Sequence, residues 1–242
     1  IDLKEFIENS SHKKEMKKVI EISKLAFKNW KIYWTDFYSS FIYDDILQEL
    51  STLNDLQYFS YGGYSSAERK KIACVRSSID SSEEDLIESF PCKGVDIKGD
   101  FLFDNATQND FRNLLIENGF FKEQIGDLWT LGDRGAQGII SNCDIEFLEN
   151  KLSSIRDVEV SIRIINLDEL NKPLERSEKL INTVEASKRL DAIASAGFRV
   201  SRTKIIEKIN AGMLRLNGVV HKKSITNIKI GDRIYLENKG HI

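Results

Sequence analysis

The side chains with the clearest chemical potential are cations gathered near the carboxyl end of the chain. Residues 186–242 contain twelve Lys and Arg against four Asp and Glu, a net charge of +8, whereas residues 1–185 have a net charge of −11. Such a split is typical of chains whose basic part contacts a polyanion, because ammonium and guanidinium groups neutralise phosphates. The same charge distribution is also compatible with a basic face that contacts only solvent and has no partner.

Two short helices are predicted to position these cations. Ser187 is expected to cap the first helix, whose buried stripe includes Leu190, and Gly197 is expected to end it. Ser201 is expected to cap the second helix, residues 202–210, whose isoleucines line the face opposite its lysines. A long basic side chain at such a helix start can reach past the helix end, where free amides also favour phosphate.

A small sheet is predicted to follow the helices. Asn217-Gly218 is a hairpin signal between strands at residues 213–216 and 219–220. Gly231-Asp232 is then expected to turn the chain into a last strand, residues 234–236.

This order of residues resembles the alpha-L RNA-binding motif first known from ribosomal protein S-four. The resemblance is carried by Arg189-Leu190-Asp191, Gly197-Phe198, Ser201-Arg202, Gly212, Asn217-Gly218, Lys222 and Gly231-Asp232-x-Ile234. It implies that the two-helix surface and the hairpin contact RNA backbone. Carried over to this chain, the expected RNA contacts are Arg189, Arg199, Ser201, Arg202, Lys204, Lys208, Lys222 and Lys223.

Each of these contacts has a structural alternative. Ser201 could serve only as a helix cap, and Arg189 could pair with a nearby acid. The lysines could be solvated without any partner.

The rest of the chain is predicted to fold as further α+β domains. The expected organisation is an α/β region at 1–82, a ferredoxin-like plait at 83–168, a polar linker at 169–182, and an S-four-type domain at 183–242. In the first region, strands are predicted at residues 56–59 and 72–75, and Ser65-x-x-Glu68 is a capping box that predicts a helix between them.

The plait is predicted from the element order β-α-β-β-α-β. Thr107-x-x-Asp110 is expected to cap its first helix, and residues 145–152 to form its second. Because unrelated proteins share this fold, the plait gives little support for RNA binding.

Segments of the body resemble YlmH-like proteins, whose plant and cyanobacterial members are called photosystem II S-four domain proteins. These segments are GGYSSAERKK (62–71), VDIKGD (95–100), TQNDFRNLLIENGF (107–120) and IGDL (125–128). The resemblance implies an RNA-binding protein associated with ribosomes, acting on large subunits that carry tRNA. The photosystem name implies a cyanobacterial or chloroplast setting, not a photosystem subunit.

A second candidate RNA contact is the basic run Arg69, Lys70 and Lys71, which follows Gly62-Gly63-Tyr64. Its alternative is a solvated basic turn, since charge runs are usually solvent-facing.

An enzyme is the main functional alternative: an RNA-modifying enzyme, such as a pseudouridine synthase relative, with its active site in residues 1–166. Arg189-Leu190-Asp191 imitates the Arg-Leu-Asp of a synthase active site, but it belongs to the basic domain. No phosphate loop ending in GK[ST] occurs, and the three histidines are isolated. We therefore expect no catalytic residue, metal or cofactor. A protein adaptor whose tail binds an acidic partner is a third interpretation.

The cysteines and the lengths of the apolar runs indicate the cellular compartment. Three scattered cysteines are typical of reduced thiols in a cytosol or stroma. No run approaches the roughly 20 apolar residues of a membrane span. We expect a cytoplasmic protein, or a stromal one if it comes from a plant. Its expected partners are structured RNA (rRNA or tRNA) and the ribosome, with no membrane and no small-molecule cofactor.

Overall fold

The computed structural model describes residues 4–79, 81–142, 153–173, 179–236 and 239–242. It divides into two compact units, residues 1–176 and 177–242. Helices and antiparallel sheets occur in both units, which confirms the expected α+β class. Within the described ranges, no helix combines the length and apolar character that a membrane crossing requires.

The first unit opens with helices packed on a small sheet. Its elements are α1 (Lys4–Asn9), α2 (Lys13–Asn29), β1 (Tyr33–Trp34), β2 (Tyr38–Ser39), α3 (Ser40–Leu50), β3 (Leu56–Tyr61) and β4 (Arg69–Arg76). β4 pairs with each of the other three strands. α2 buries Met16, Val19 and Ile20, the spacing of one face of an amphipathic helix, against α3 and the sheet. The two predicted strands are confirmed as parts of β3 and β4.

The helix predicted from Ser65-x-x-Glu68 is wrong. Residues 62–68 form a loop, and β4 begins at Arg69. The amides of Glu68 and Arg69 donate instead to the Asp127 carboxylate, at 2.7 and 3.0 Å. A distant acceptor therefore satisfies the amides that a helix start would have left free, and it overrides the local signal.

The second half of this unit is a five-stranded antiparallel sheet. Its elements are α4 (Glu83–Glu88), β5 (Cys92–Lys98), α5 (Gln108–Glu117), β6 (Ile125–Thr130), β7 (Gly135–Ser141), β8 (Ser153–Ile155) and β9 (Val158–Ile165). The strand order is β6-β7-β5-β9-β8. Without the edge strand β8, this is the order of a ferredoxin-like plait. The second plait helix, predicted at residues 145–152, lies outside the described residues.

The first plait helix begins where its sequence predicts. Thr107 and Asp110 form a reciprocal capping box, in which each side chain accepts from the other residue's amide. Phe111 and Leu115 pack into the sheet core. Gly119 takes φ 99°, a left-handed conformation suited to a helix stop.

A buried carboxylate joins the two halves of the first unit. Asp127, on β6, accepts a hydrogen bond from the Tyr64 hydroxyl at 2.8 Å besides those from the amides of Glu68 and Arg69. Burial raises the pKa of this carboxyl. The loop before β4 is therefore attached to the plait by polar contacts.

The second unit consists of two helices and a small sheet. Its elements are α6 (Leu190–Phe198), α7 (Arg202–Asn210), β10 (Leu214–Leu216), β11 (Val219–Val220), β12 (Ile234–Leu236) and β13 (Gly240–His241), with the strand order β11-β10-β12-β13. Leu190, Ile205 and Leu214 are fully buried in its core. Asn217 and Gly218 adopt φ 48° and 78°, which confirms the predicted hairpin turn.

Three details predicted for this unit are wrong. Arg189, not Ser187, is the N-cap of α6, and the Ser187 hydroxyl accepts from the Arg189 amide at 3.2 Å. Gly197 lies within α6, and Arg199 ends the helix at φ 52°. A Cβ at Gly197 would lie 2.3 Å from the Ile242 side chain, so packing explains this glycine. The strand predicted to be the last, β12, is followed by a further strand, β13.

Candidate nucleic-acid interface

One buried carboxylate pairs with two arginines where the helices of the second unit begin. Arg189 immediately precedes α6, and Arg202 is the first residue of α7. The Asp191 side chain is 0% exposed. It accepts from Nε and Nη2 of Arg189 at 3.2 and 2.8 Å, and from the same two atoms of Arg202 at 3.1 Å each. Asp191 therefore fixes both guanidinium planes.

In each guanidinium, one nitrogen can still donate a hydrogen bond to another acceptor. Among the described residues, Nη1 of Arg189 and Nη1 of Arg202 have no hydrogen-bond partner, and these side chains are 37% and 49% exposed. Two positive charges around one negative charge leave the cluster cationic. Because phosphate oxygens accept well from guanidinium groups, the remaining donors suit an RNA backbone.

The loop after Lys222-Lys223 is hydrogen-bonded to the first turn of α6. The Asp191 amide donates to the Ser224 carbonyl at 3.1 Å, and the Leu190 amide donates to the Thr226 carbonyl at 2.7 Å. These bonds satisfy the first amides of α6 in place of a side-chain cap. The segment that follows these two exposed lysines is therefore hydrogen-bonded to the start of α6. It lies beside the arginine–aspartate cluster, which consists of Arg189, Asp191 and Arg202.

The other predicted contacts lie along or beyond α7. Ser201 caps this helix, as predicted, by accepting from the Lys204 amide at 3.5 Å. Lys204 is exposed and Lys208 is half-buried. Arg199 is exposed but lies at the opposite end of α6 from Arg189. The structure thus brings Arg189, Arg202 and the lysine-bearing loop together, and leaves Arg199 at the far helix end.

Asp191 is the important residue that sequence analysis does not predict as part of this surface. An isolated acid in a basic segment, two positions after an arginine, is a signal for an ion pair. Its second partner, Arg202, is eleven residues away and is brought near only by the packing of α6 on α7.

Comparison with known proteins shows that the chain is similar to YlmH proteins. A family model described as "YlmH, N-terminal" matches residues 11–79. The chain is also 26% identical over 196 residues to the Ribosome-associated protein quality control protein P2 of Bacillus subtilis (strain 168), covering 81% of this chain and 74% of that protein. The chain is therefore YlmH-like. This confirms the relationship expected from its body segments.

A solved structure shares the YlmH-like fold. The Cell division protein ylmH from Streptococcus pneumoniae superimposes with a TM-score of 0.51 at 16% identity. The match covers 65% of this chain and 93% of that chain. At this level of identity, the likeness concerns the fold alone.

The structure does not support the second RNA contact predicted for this YlmH-like chain. Arg69 donates to a main-chain carbonyl of β6 at 2.9 Å, and burial, together with repulsion from Arg112, lowers its pKa to about 10. Lys71 is buried, with its ammonium 5.0 Å from an aromatic ring centroid. Lys70 is half-buried over another ring. Arg69 and Lys71 point into the fold and do not form an exposed basic turn.

The arginine–aspartate cluster predicts how the second unit responds to acid. Burial alone would raise the pKa of Asp191, but hydrogen bonds from Arg202 and Arg189 outweigh burial and lower it. A lowered folded-state pKa means that the stabilisation is complete above the unfolded value of about 3.9 and is lost as pH falls through the folded value. We expect hydrogen-exchange protection of α6 and α7, corrected for intrinsic rates, to fall below about pH 4.

The same measurement on Asp191→Ala supplies the comparison. This variant should have weaker protection at neutral pH and a smaller further loss on acidification. An equal acid-induced loss in both proteins would assign the pH dependence to other carboxyl groups, such as Asp232, whose pKa is lowered by the Lys229 amide and by Asn217.

Proposed function

We propose that this YlmH-like protein binds structured ribosomal RNA through its second unit and acts by binding, without a catalytic step of its own. The observation that supports this function is the Asp191 carboxylate, which holds Arg189 and Arg202 with free donors beside Lys222-Lys223. Guanidinium groups that are already ordered lose less conformational entropy on binding a phosphate. The rest of the chain is acidic, so the basic surface also orients the protein on a polyanion.

The ribosome is the RNA-containing partner that similarity favours. The Bacillus subtilis relative is named as ribosome-associated and matches 81% of this chain. Folded ribosomal RNA or tRNA presents rigid arrays of phosphates, which proteins recognise largely by shape and backbone contacts. A ribosomal target is consistent with a cytoplasmic or stromal location.

The enzymatic alternative would require a site in the first unit. A cavity of about 180 Å³ there is lined by residues including Asp110, Asn113 and Arg156. Ligand pockets usually measure roughly 300–1,000 Å³. The Arg156 guanidinium already pairs with Asp104 at 2.7 Å, and the Asp110 carboxylate already caps α5, so both of these charged groups serve the fold.

The double variant Lys222→Ala with Lys223→Ala tests the proposed RNA surface, because both lysines are exposed and precede the loop that is hydrogen-bonded to α6. We expect its affinity for ribosomal RNA to fall about tenfold at moderate salt, because each lysine is expected to neutralise one phosphate. The slope of log affinity against log salt concentration should become shallower by about one for each phosphate that the variant leaves unneutralised. Filter binding across a salt series measures both quantities.

Lys93→Ala with Lys172→Ala is the matched control, since it removes the same charge from the first unit. This control should retain the wild-type salt slope. If both double variants lose affinity equally, binding reflects net charge and not the proposed surface. Crosslinking in cells followed by RNA sequencing then tests the target, and recovery of messenger RNA alone would rule out the ribosomal assignment.

A further inference from the structure

An exposed aromatic and basic surface lies at the end of α2, in the first unit. We call it the Trp30 patch, and define it by Lys24, Phe27, Lys28, Trp30, Lys31 and Arg76. The Arg76 guanidinium carbon lies 4.2 Å from the Phe27 ring centroid and 3.9 Å from the Trp30 ring centroid. Arg76 also donates to the Phe27 carbonyl at 3.4 Å. Arg76 therefore orders both rings through stacking contacts.

Both rings remain available to a ligand. Phe27 is 43% exposed and Trp30 is 55% exposed, although an indole ring usually buries much of its large apolar surface. Trp30 ends α2 in a left-handed conformation, with its amide donating to the Ala26 carbonyl at 3.1 Å. The Trp30 backbone is thus fixed at the helix end, and Arg76 stacks on one face of its ring.

The charge around the rings is positive within an otherwise acidic body. Residues 13–31 contain seven Lys and two Glu, a net charge of +5, so the rest of residues 1–185 has a net charge of −16. Lys18 pairs with Asp36 at 2.7 Å. Lys24, Lys28 and Lys31 are exposed and form no ion pair within the described part of the chain. Their charge is therefore available to an anionic partner.

We propose that the Trp30 patch binds an unpaired RNA nucleotide, with its base stacked on the indole and its phosphates beside the lysines. This second contact depends on the proposed function for its ligand class, RNA, but uses a different unit. Flat aromatic rings bordered by cations match a nucleotide, which combines a planar base with an anionic backbone. An anionic membrane fits less well, because the apolar face of α2 is already buried in the core and cannot insert.

The test compares full-length variants in binding a short single-stranded oligoadenylate and an RNA hairpin whose stem is closed by a non-nucleotide linker, so that the hairpin has no unpaired base. Trp30→Ala should weaken oligoadenylate binding about tenfold, the effect of losing one base stack. Trp30→Phe should keep most of the affinity, and hairpin binding should not change. Phe103→Ala is the matched control, since Phe103 is 96% exposed but lies between Asp100 and Asp104. It should bind both RNAs as the wild type does.

Two further variants separate the possible outcomes. Lys222→Ala with Lys223→Ala should weaken hairpin binding and spare the oligoadenylate. If this variant binds the hairpin normally while Trp30→Ala loses the oligoadenylate, the proposed function fails and the Trp30 patch stands. If Trp30→Ala lowers Tm, Lys28→Glu with Lys31→Glu replaces it and should cause the same loss of oligoadenylate binding.

Three results would overturn RNA binding by the Trp30 patch. The first is undetectable oligoadenylate binding by the wild type, and the second is wild-type affinity in a folded Trp30→Ala variant. The third is binding to phosphatidylserine vesicles that Trp30→Ala abolishes while oligoadenylate binding persists, which would assign the patch to a membrane.

Discussion

Replacing Asp127 by Ala is expected to lower the free energy of unfolding of the first unit by about 3 kcal/mol or more. The substitution removes the acceptor for the Tyr64 hydroxyl and for the amides of Glu68 and Arg69. A buried donor left without an acceptor costs about 1–3 kcal/mol, and water can reach only part of this site. The attachment between the loop before β4 and the plait would therefore weaken sharply.

Urea denaturation followed by tryptophan fluorescence measures this effect in the full chain. All three tryptophans lie in residues 1–176, so the signal reports on the first unit. Asp127→Asn should cost less than the Ala variant, because one oxygen acceptor remains and burial already disfavours the charge. Asp133→Ala, at an exposed position, should change stability by less than about 0.5 kcal/mol. A loss below about 1 kcal/mol for Asp127→Ala would show that the three bonds contribute little.

Replacing Asp191 by Ala is expected to weaken both the second unit and its binding of RNA. Removing one partner of a buried ion pair typically costs about 3–5 kcal/mol. The two arginines are partly exposed and can regain water, so we expect about 2–3 kcal/mol. RNA affinity should fall about tenfold, since the two guanidinium groups would repel each other and lose their fixed orientation.

The direction of the affinity change distinguishes orientation from net charge. Asp191→Ala makes the surface more positive, so charge alone predicts tighter binding to RNA. Glu207→Ala is the matched control, because it removes the same charge from an exposed position on α7. Filter binding should show a loss for Asp191→Ala and no loss for Glu207→Ala. Hydrogen exchange of α6 and α7 measures the stability change, and tighter binding by Asp191→Ala would contradict the positioning role.

Local signals in the sequence predicted several elements correctly. The hairpin at Asn217-Gly218 and the capping box of Thr107 with Asp110 form where they are predicted. Both depend on residues within a few positions of each other, so distant parts of the fold have little influence on them. The same locality explains the cap that Ser201 forms on α7.

Predictions failed where a distant residue competed for the same atoms. The Ser65-x-x-Glu68 pattern specifies a capping box, but Asp127 takes the amides of Glu68 and Arg69. Ser187 precedes α6 without capping it, because loop carbonyls accept from the first amides of that helix. In each case, folding supplied an acceptor that the local sequence does not show.

The basic surface also has some properties that the sequence sets and others that tertiary packing sets. The sequence by itself determined that this YlmH-like chain has an acidic body and a basic end, because charge follows from composition and not from conformation. Only the tertiary structure decided that Arg69 and Lys71 are turned inward, and that Asp191 holds Arg189 and Arg202 side by side. Burial and contacts between distant residues depend on how the elements pack, and no local pattern encodes that packing.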